Sequence, residues 1–511
     1  MREDWIECTL EDISYKITDG SHNPPKKESN GYLMLSAKNI ANNKIDFSEG
    51  RFISKENFEI ENKRTQIEPN DILLTIVATI GRSAVVKEYK NQFVLQRSVA
   101  VIGTFLNSFY LNFQLQNPFV QSFFMNNAKG TAQKGIYLKT LSTTPLQICS
   151  IPEQRAIVKK IETLFSSLDA SIADLKKSQE QLKIYRQAVL KKAFEGELTN
   201  EWRKQQTNLP TVEELLFQIE QERKEYYHIQ IEEWKLALQY WEENKSTGKK
   251  PEKPSINKIK IDTSTKLESG FYAKLGSISD VVRGGSPRPA GDERFYNGNI
   301  PFLKVADITR INNKYLTEFT YTIKPAGLQK TRFLKKGTLV ISNSGATLGV
   351  ARILGIDATA NDGIAAFLNL LPRLTDFFYY YLNSKTLEFR AIDQGAGQPN
   401  LNTDLLKEFI VPIFSVNEQQ QIVQEIESRL SVCDDVEKQI KNSLDQAEAL
   451  RQSILKKAFE GNLLTEEELK ACKAEPDYEP ASVLLERMKA EKEAHKPLKK
   501  ISKKKVSKIR G

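Results

Sequence analysis

The stretch whose residue types come nearest to catalysis is Asn23-Pro24-Pro25. It holds the first three positions of the Asp/Asn-Pro-Pro-aromatic loop of adenine N6 methyltransferases. Lys26 stands where that loop needs an aromatic ring to stack on a flipped base, and no glycine-rich strand-turn-helix for S-adenosylmethionine accompanies it. A Pro-rich turn is the better reading. Thr247-Gly248-Lys249-Lys250 lacks the upstream glycine and the following Ser or Thr of a P-loop. Gly395-Ala396-Gly397 and the run Gly345 to Gly349 sit among β-rich segments and read as turns. H-E-x-x-H and G-x-S-x-G are both missing. Cys8, Cys149, Cys433 and Cys472 lie far apart with no CxxC, and the three histidines are scattered. The expectation is a chain with no metal site, no disulfide framework and no catalytic constellation.

A net charge of +9 invites a nucleic-acid reading. The last sixteen residues, KPLKKISKKKVSKIRG, hold eight Lys and Arg and no acid, so residues 1–495 are nearly neutral. Such a tail suits phosphate contact without sequence preference, or plain solvation. The start, MREDWIECTL, has no apolar leader, and the longest apolar run, from Ile72, is about half the length that spans a bilayer. A soluble cytoplasmic protein is expected. At 511 residues the chain is too long for one core and calls for about three or four units.

The elements that would position any site are written twice. LKKAFEGEL at Leu190–Leu198 returns as LKKAFEGNL at Leu455–Leu463, and sliding 150–198 onto 415–463 needs no gap and makes 22 of 49 pairs identical. Each copy opens on S-x-x-E, Ser150 to Glu153 and Ser415 to Glu418, the pattern of a capping box. A short amphipathic segment (Ile157, Ile161, Leu164, Leu168) is then expected. A longer helix follows, with apolar residues at 3-4 spacing: Ile172, Leu175, Leu182, Val189, and in the second copy Ile440, Leu444, Ala447, Ile454, Ala458. That spacing is the seam of a two-helix coiled coil. Twenty-six such residues would span about 39 Å. Lys-Lys near each end suits the helix dipole, and Gly196 and Gly461 suit a left-handed helix stop.

Before each helix run lies a stretch of about 150 residues of short β-rich segments broken by Gly, Asn, Pro and Asp. Gly81 superposes on Gly349, and QRSVAVI at Gln96 on NDGIAAFL at Asn361, with little sequence shared between these marks. The repeat extends past the helices, NLPTVEELL near Pro210 resembling YEPASVLL near Pro480, and NKSTGKKPEKPSINK from Asn244 reads as a polar linker.

Two divergent β-rich domains, each followed by S-x-x-E-Q…I-V…I-E and R-Q…L-K-K-A-F-E-G-x-L, resemble the specificity subunits of Type I restriction-modification systems over nearly the whole chain. The resemblance implies an α+β fold: two β-rich target recognition domains, 1–149 and 266–414, separated by two long antiparallel helices at 150–200 and 415–464. Helical extensions would lie at 201–265, with the linker, and at 465–511, with the basic tail. Each recognition domain would read one half of a split sequence in double-stranded DNA. Two methyltransferase subunits would dock against the assembly, with restriction subunits carrying helicase and nuclease activity as further partners. S-adenosylmethionine, ATP and Mg would then belong to the partner subunits, leaving this chain without cofactor.

Candidate DNA contacts follow from that implication. Arg and Lys suit guanine edges, Asn and Gln suit adenine edges, and all four also bind phosphate. In the first domain the polar loops offer Ser21, Asn23, Lys26 and Lys27, beside His22. Further along stand Arg82, Arg97, Gln133 and Lys134, beside Lys129. In the second domain they offer Arg283, Ser286, Arg288 and Arg294, then Asn343, Gln398 and Asn400.

Overall fold

The computed structural model describes residues 2–87, 92–131, 133–243, 250–345, 347–392 and 400–495; the basic tail, most of the expected polar linker's first half and Gln398 lie outside them. The chain forms two compact units, Met1–Lys176 with Ile440–Gly511, and Lys177–Gln439. Each unit therefore contains one β-rich domain, the beginning of one long helix and the end of the other. The α+β architecture with long antiparallel helices is the one expected.

Where a short segment and a separate longer helix were expected, each repeat is one continuous helix of 44 residues, Ile151–Phe194 and Val416–Phe459. The reason is local: no Gly or Pro occurs between Glu153 and Glu195 or between Glu418 and Glu460. At about 1.5 Å per residue each helix is about 66 Å long. In the buried stripe near the start Ile157 and Ile161 face the core as expected, but Leu164 is exposed and Phe165 makes the core contact in its place. Gly196 and Gly461 end the helical runs with φ of 78° and 79°, as their left-handed stop requires.

Pairing of the helices is antiparallel within each unit. Arg186 bonds Asp434 at 2.7 Å and Glu437 at 2.9 Å, while in the short turns that follow the first helix Thr199 and Arg203 meet Glu418 at the start of the second. In the other unit Arg451 pairs with Asp169 and lies 4.3 Å over the Phe165 ring. Arg186 and Arg451 are repeat equivalents, as are Asp169 and Asp434. The two ion pairs are thus the same contact made once in each unit.

Each β-rich domain is built on the same sheet. In the first, Ser14–Asp19, Val99–Thr104, Ile72–Thr75 and Ser83–Val85 lie side by side, all antiparallel. In the second the order Asp280–Arg283, Ile364–Leu368, Leu339–Ser342 and Ala351–Leu354 repeats these four strands, and a short fifth, Tyr315–Leu316, adds in parallel at the edge. A smaller sheet accompanies each, with a parallel pair: Tyr32–Leu35 on Phe93–Leu95, and Tyr296–Leu303 on Ala358–Ala360. Side chains alternate across the main sheet because the strand period is two. Ile72, Leu74, Ala100 and Ile102 face the core shared with the helices, while Leu73, Val99 and Val101 face a separate core on the other side. Leu339, Ile341 and Phe367 against Val340, Ile364 and Ala366 repeat this division.

The repeated LKKAFEG is more than a helix ending. Leu455, Ala458 and Phe459 are buried in the core of the first domain, and Phe459 meets Tyr110 edge to face at 5.3 Å. Ala193 and Phe194 do the same in the second, Phe194 lying 5.3 Å from Phe377.

Only the serine half of each expected capping box forms, Glu153 and Glu418 donating their amides to Ser150 and Ser415 Oγ at 3.4 and 3.3 Å. The carboxylates turn inward instead. Glu153 takes Arg2 Nη1 at 2.5 Å and Trp5 Nε1 at 3.1 Å; burial pushes its carboxyl above the usual range, and Arg2 and Trp5 draw it back. Glu418, fully buried, takes Arg203 Nη1 at 2.5 Å, Thr199 Oγ1 at 2.8 Å and Ser269 Oγ at 2.6 Å. Removing one partner of a buried pair strands the other charge, so Arg203→Ala should lower unfolding free energy by about 3–5 kcal/mol. Glu418→Gln in that background should restore part of the loss, and urea unfolding of the single and double variants checks both.

Candidate nucleic-acid interface

In each domain, loops leaving the main sheet meet in one rim, and backbone hydrogen bonds hold them. In the first, Gly20 and Ser21 donate to Val99 and Leu95 carbonyls at 3.2 and 2.8 Å. Ile76 donates to Ser98 at 2.9 Å and Ile136 to Ile76 at 2.8 Å. In the second, Gly284 and Gly285 donate to Ile364 and Ala360, both at 2.9 Å. Asn343 donates to Gly363 at 2.9 Å and Leu401 to Asn343 at 2.7 Å. The frames correspond bond for bond, which places Gln96-Arg97-Ser98 in the position of Asn361-Asp362-Gly363, and Ile76 in that of Asn343.

The first rim carries exposed polar side chains. Asn23, Lys26, Lys27, Arg97, Gln133 and Lys134 are all exposed. Among the described residues, Lys26, Lys27, Arg97 and Lys134 have no acidic partner. Arg51 donates to the Pro25 carbonyl at 2.6 Å, fixing the loop that bears the two lysines. Ser21 does not belong with them: it is 3% exposed and its hydroxyl donates to Glu61 at 2.7 Å, because its backbone is pulled under the Leu95 carbonyl. His22 is half turned back, 2.8 Å from Asp19. Arg82, exposed, lines a different feature, a groove between the sheet and the helices that also includes Lys176 and Arg451.

The second rim is self-paired. Asp362, absent from the sequence-derived set, accepts from Ser286 Oγ at 2.8 Å and lies 3.6 Å from Arg288 Nη2, and its carbonyl accepts from Arg283 Nε. Arg294 pairs with Asp292 at 2.6 Å and its hydrogen bonds hold that carboxyl below the usual range. Asn343 is fully buried and, among the described residues, neither of its side-chain heteroatoms has a partner, nor do the buried Oδ1 atoms of Asn361 and Asn400. Buried amides without partners are rare enough to need a reason. Among the described residues no group of His, Cys, Asp and Glu could hold a metal, and no helix is long and apolar enough to cross a membrane.

Residues 2–181 and 272–446 match the Type I restriction modification DNA specificity domain. The chain belongs to that family. It is 32% identical over 213 residues to the EcoBI specificity subunit of Escherichia coli, covering 40% of this chain and 44% of that protein. Over 506 residues it is 22% identical to the EcoKI specificity subunit of Escherichia coli strain K12, covering 96% of each. Among solved structures, the HsdS subunit from Thermoanaerobacter tengcongensis has the same fold, with TM-score 0.51 and 17% identity over 91% of this chain and 98% of that one. A chain from a structure of a type I R-M system has TM-score 0.61, also at 17% identity, over 91% and 99%.

Asp362 and Asn361 were within reach of the sequence, since QRSVAVI and NDGIAAFL already aligned. At the position of Arg97 the second copy carries an acid, a residue type that phosphate contact disfavours. The frame itself is tested by its closest approach. A Cβ at Gly20 would sit 2.2 Å from the Leu95 carbonyl oxygen, and one at Gly284 would sit 2.2 Å from that of Asn361. Gly20→Ala and Gly284→Ala should each cost about 1–3 kcal/mol, as overpacking does, measured by urea unfolding with each unit followed separately.

Proposed function

We propose that this chain is the DNA sequence-specificity subunit of a type I restriction-modification complex. Each β-rich domain reads one half of a bipartite target, and the long helices set the distance between the halves. The observation that supports this is the pair of rims: one backbone frame, used twice, bearing different polar side chains. That is what two readers of different half-sites require, because base edges are distinguished by donor and acceptor type.

On this reading the chain performs no catalysis. Two methyltransferase subunits dock on the assembly, and restriction subunits join through them. S-adenosylmethionine, ATP and Mg are bound by those partners. Free cations of the first rim supply phosphate contact as well as base contact, and the paired arginines of the second supply less of it.

Exchanging residues 1–149 for the matching domain of a relative should change one half of the recognised sequence and leave the other. Selection from a random duplex library by the assembled complex reads this directly, and a change in both halves would refute independent reading. The free cations give a second expectation. Lys26→Ala and Lys134→Ala should each reduce the slope of log affinity against log salt by about 1, with weaker binding across all sequences. A slope unchanged from the parent would remove these lysines from the phosphate contact.

A further inference from the structure

The turn that carries Arg97 in the first domain carries Asp362 in the second, and the side chains around the two differ accordingly. In both domains the turn lies between the same two bonds of the frame. Leu95 and Ala360 carbonyls accept from Ser21 and Gly285 on one side, and Ser98 and Gly363 carbonyls accept from Ile76 and Asn343 on the other. Position and backbone are therefore shared while the charge is inverted.

Near phosphates an acid is repelled, so an exposed carboxylate on a DNA-facing rim weakens binding to every sequence unless it is compensated. Asp362 is compensated. Its side chain is 42% exposed, with Arg288 at 3.6 Å, and Arg283 donates to its own carbonyl. Ser286 occupies only one of the positions at which a carboxylate can accept, so the group keeps open acceptor capacity at the surface. Arg97 is exposed and, among the described residues, has no acidic partner, so its guanidinium is free to donate. Guanidinium matches the O6 and N7 acceptors of guanine, and carboxylate matches the N4 amine donor of cytosine.

We propose that this turn position is a base-reading position in both domains, used with opposite chemistry: Arg97 donating to a guanine in one half-site and Asp362 accepting from a cytosine amine in the other. Arg283 and Arg288 offset the acid's repulsion from the backbone. The inference rests on the reading of the chain as a bipartite DNA-specificity subunit.

The test uses the full chain assembled with its methyltransferase subunits, selecting from a random duplex library. Arg97→Ala should reduce the preference for guanine at one position of one half-site by about tenfold or more, with the other half unchanged. Asp362→Ala should relax a cytosine position in the other half-site while affinity for the remaining sequences holds or rises. Ser286→Ala separates reading from support: it removes the hydrogen bond to Asp362 and leaves the carboxylate, so the cytosine preference should persist. Uniformly weaker binding with both motifs intact in Arg97→Ala and Asp362→Ala overturns the inference, as does Ser286→Ala reproducing the effect of Asp362→Ala. A parent complex that selects no bipartite motif overturns the underlying reading itself, and is distinguishable because it appears before any substitution is made.

Discussion

A buried carboxylate at the start of each long helix governs how the rest is arranged. Glu153 and Glu418 need a cation, and each cation lies against the glycine that ends the other helix. A Cβ at Gly196 would come within 3.0 Å of Arg203 Nη1, and one at Gly461 within 2.8 Å of Arg2 Cδ. Glycine at these two stops therefore serves the left-handed turn and also leaves space for the arginine. The lock joins helix end to helix start within each unit, which fixes antiparallel pairing there and brings Phe194 and Phe459 into the domain cores. A lysine is a poor substitute at these positions, since the planar guanidinium of Arg203 serves Glu418 and Glu268 at once, and also Gly196's carbonyl.

The two arginines are not repeat equivalents. Arg203 follows the first helix in the chain, and Arg2 comes from the chain's beginning, yet they meet equivalent glutamates. The duplication preserved the need and different segments supply it. The same holds at the rims: the frame of backbone bonds is repeated, and the side chains on it have diverged to the point of opposite charge. A structure of this kind separates what must pair with its own copy from what is free to vary.

Much of this was legible in the residues. Identity at 22 of 49 aligned positions showed the repeat, the glycines marked the helix stops, and the alternation of strands and turns marked two domains. What failed was what depends on burial. S-x-x-E looks like a capping box from local spacing alone, and only the presence of a distant arginine turns the glutamate inward. Ser21 and Asn343 have the residue types of base readers but lie under backbone that the sequence does not place, at 3% and 0% exposure. Asp362 failed for a different reason, since acids are not sought where phosphates are expected. Leu164 in place of Phe165 was an error of one position in helical phase, small in sequence and about 100° around the helix.

On the proposed reading, the antiparallel helix pair sets the distance between the two reading domains. Inserting seven residues next to Gln179 and seven next to Leu444 keeps the apolar seam in register and lengthens each helix by about 10 Å. That corresponds to about three base pairs at about 3.4 Å each, with about 100° of added twist at 10 to 10.5 base pairs per turn. Selection from a duplex library with variable spacing between the half-sites reads the outcome. If the helices set the spacing, the parental spacing is no longer preferred while each half-site sequence is unchanged; undiminished preference for the parental spacing would mean that they do not.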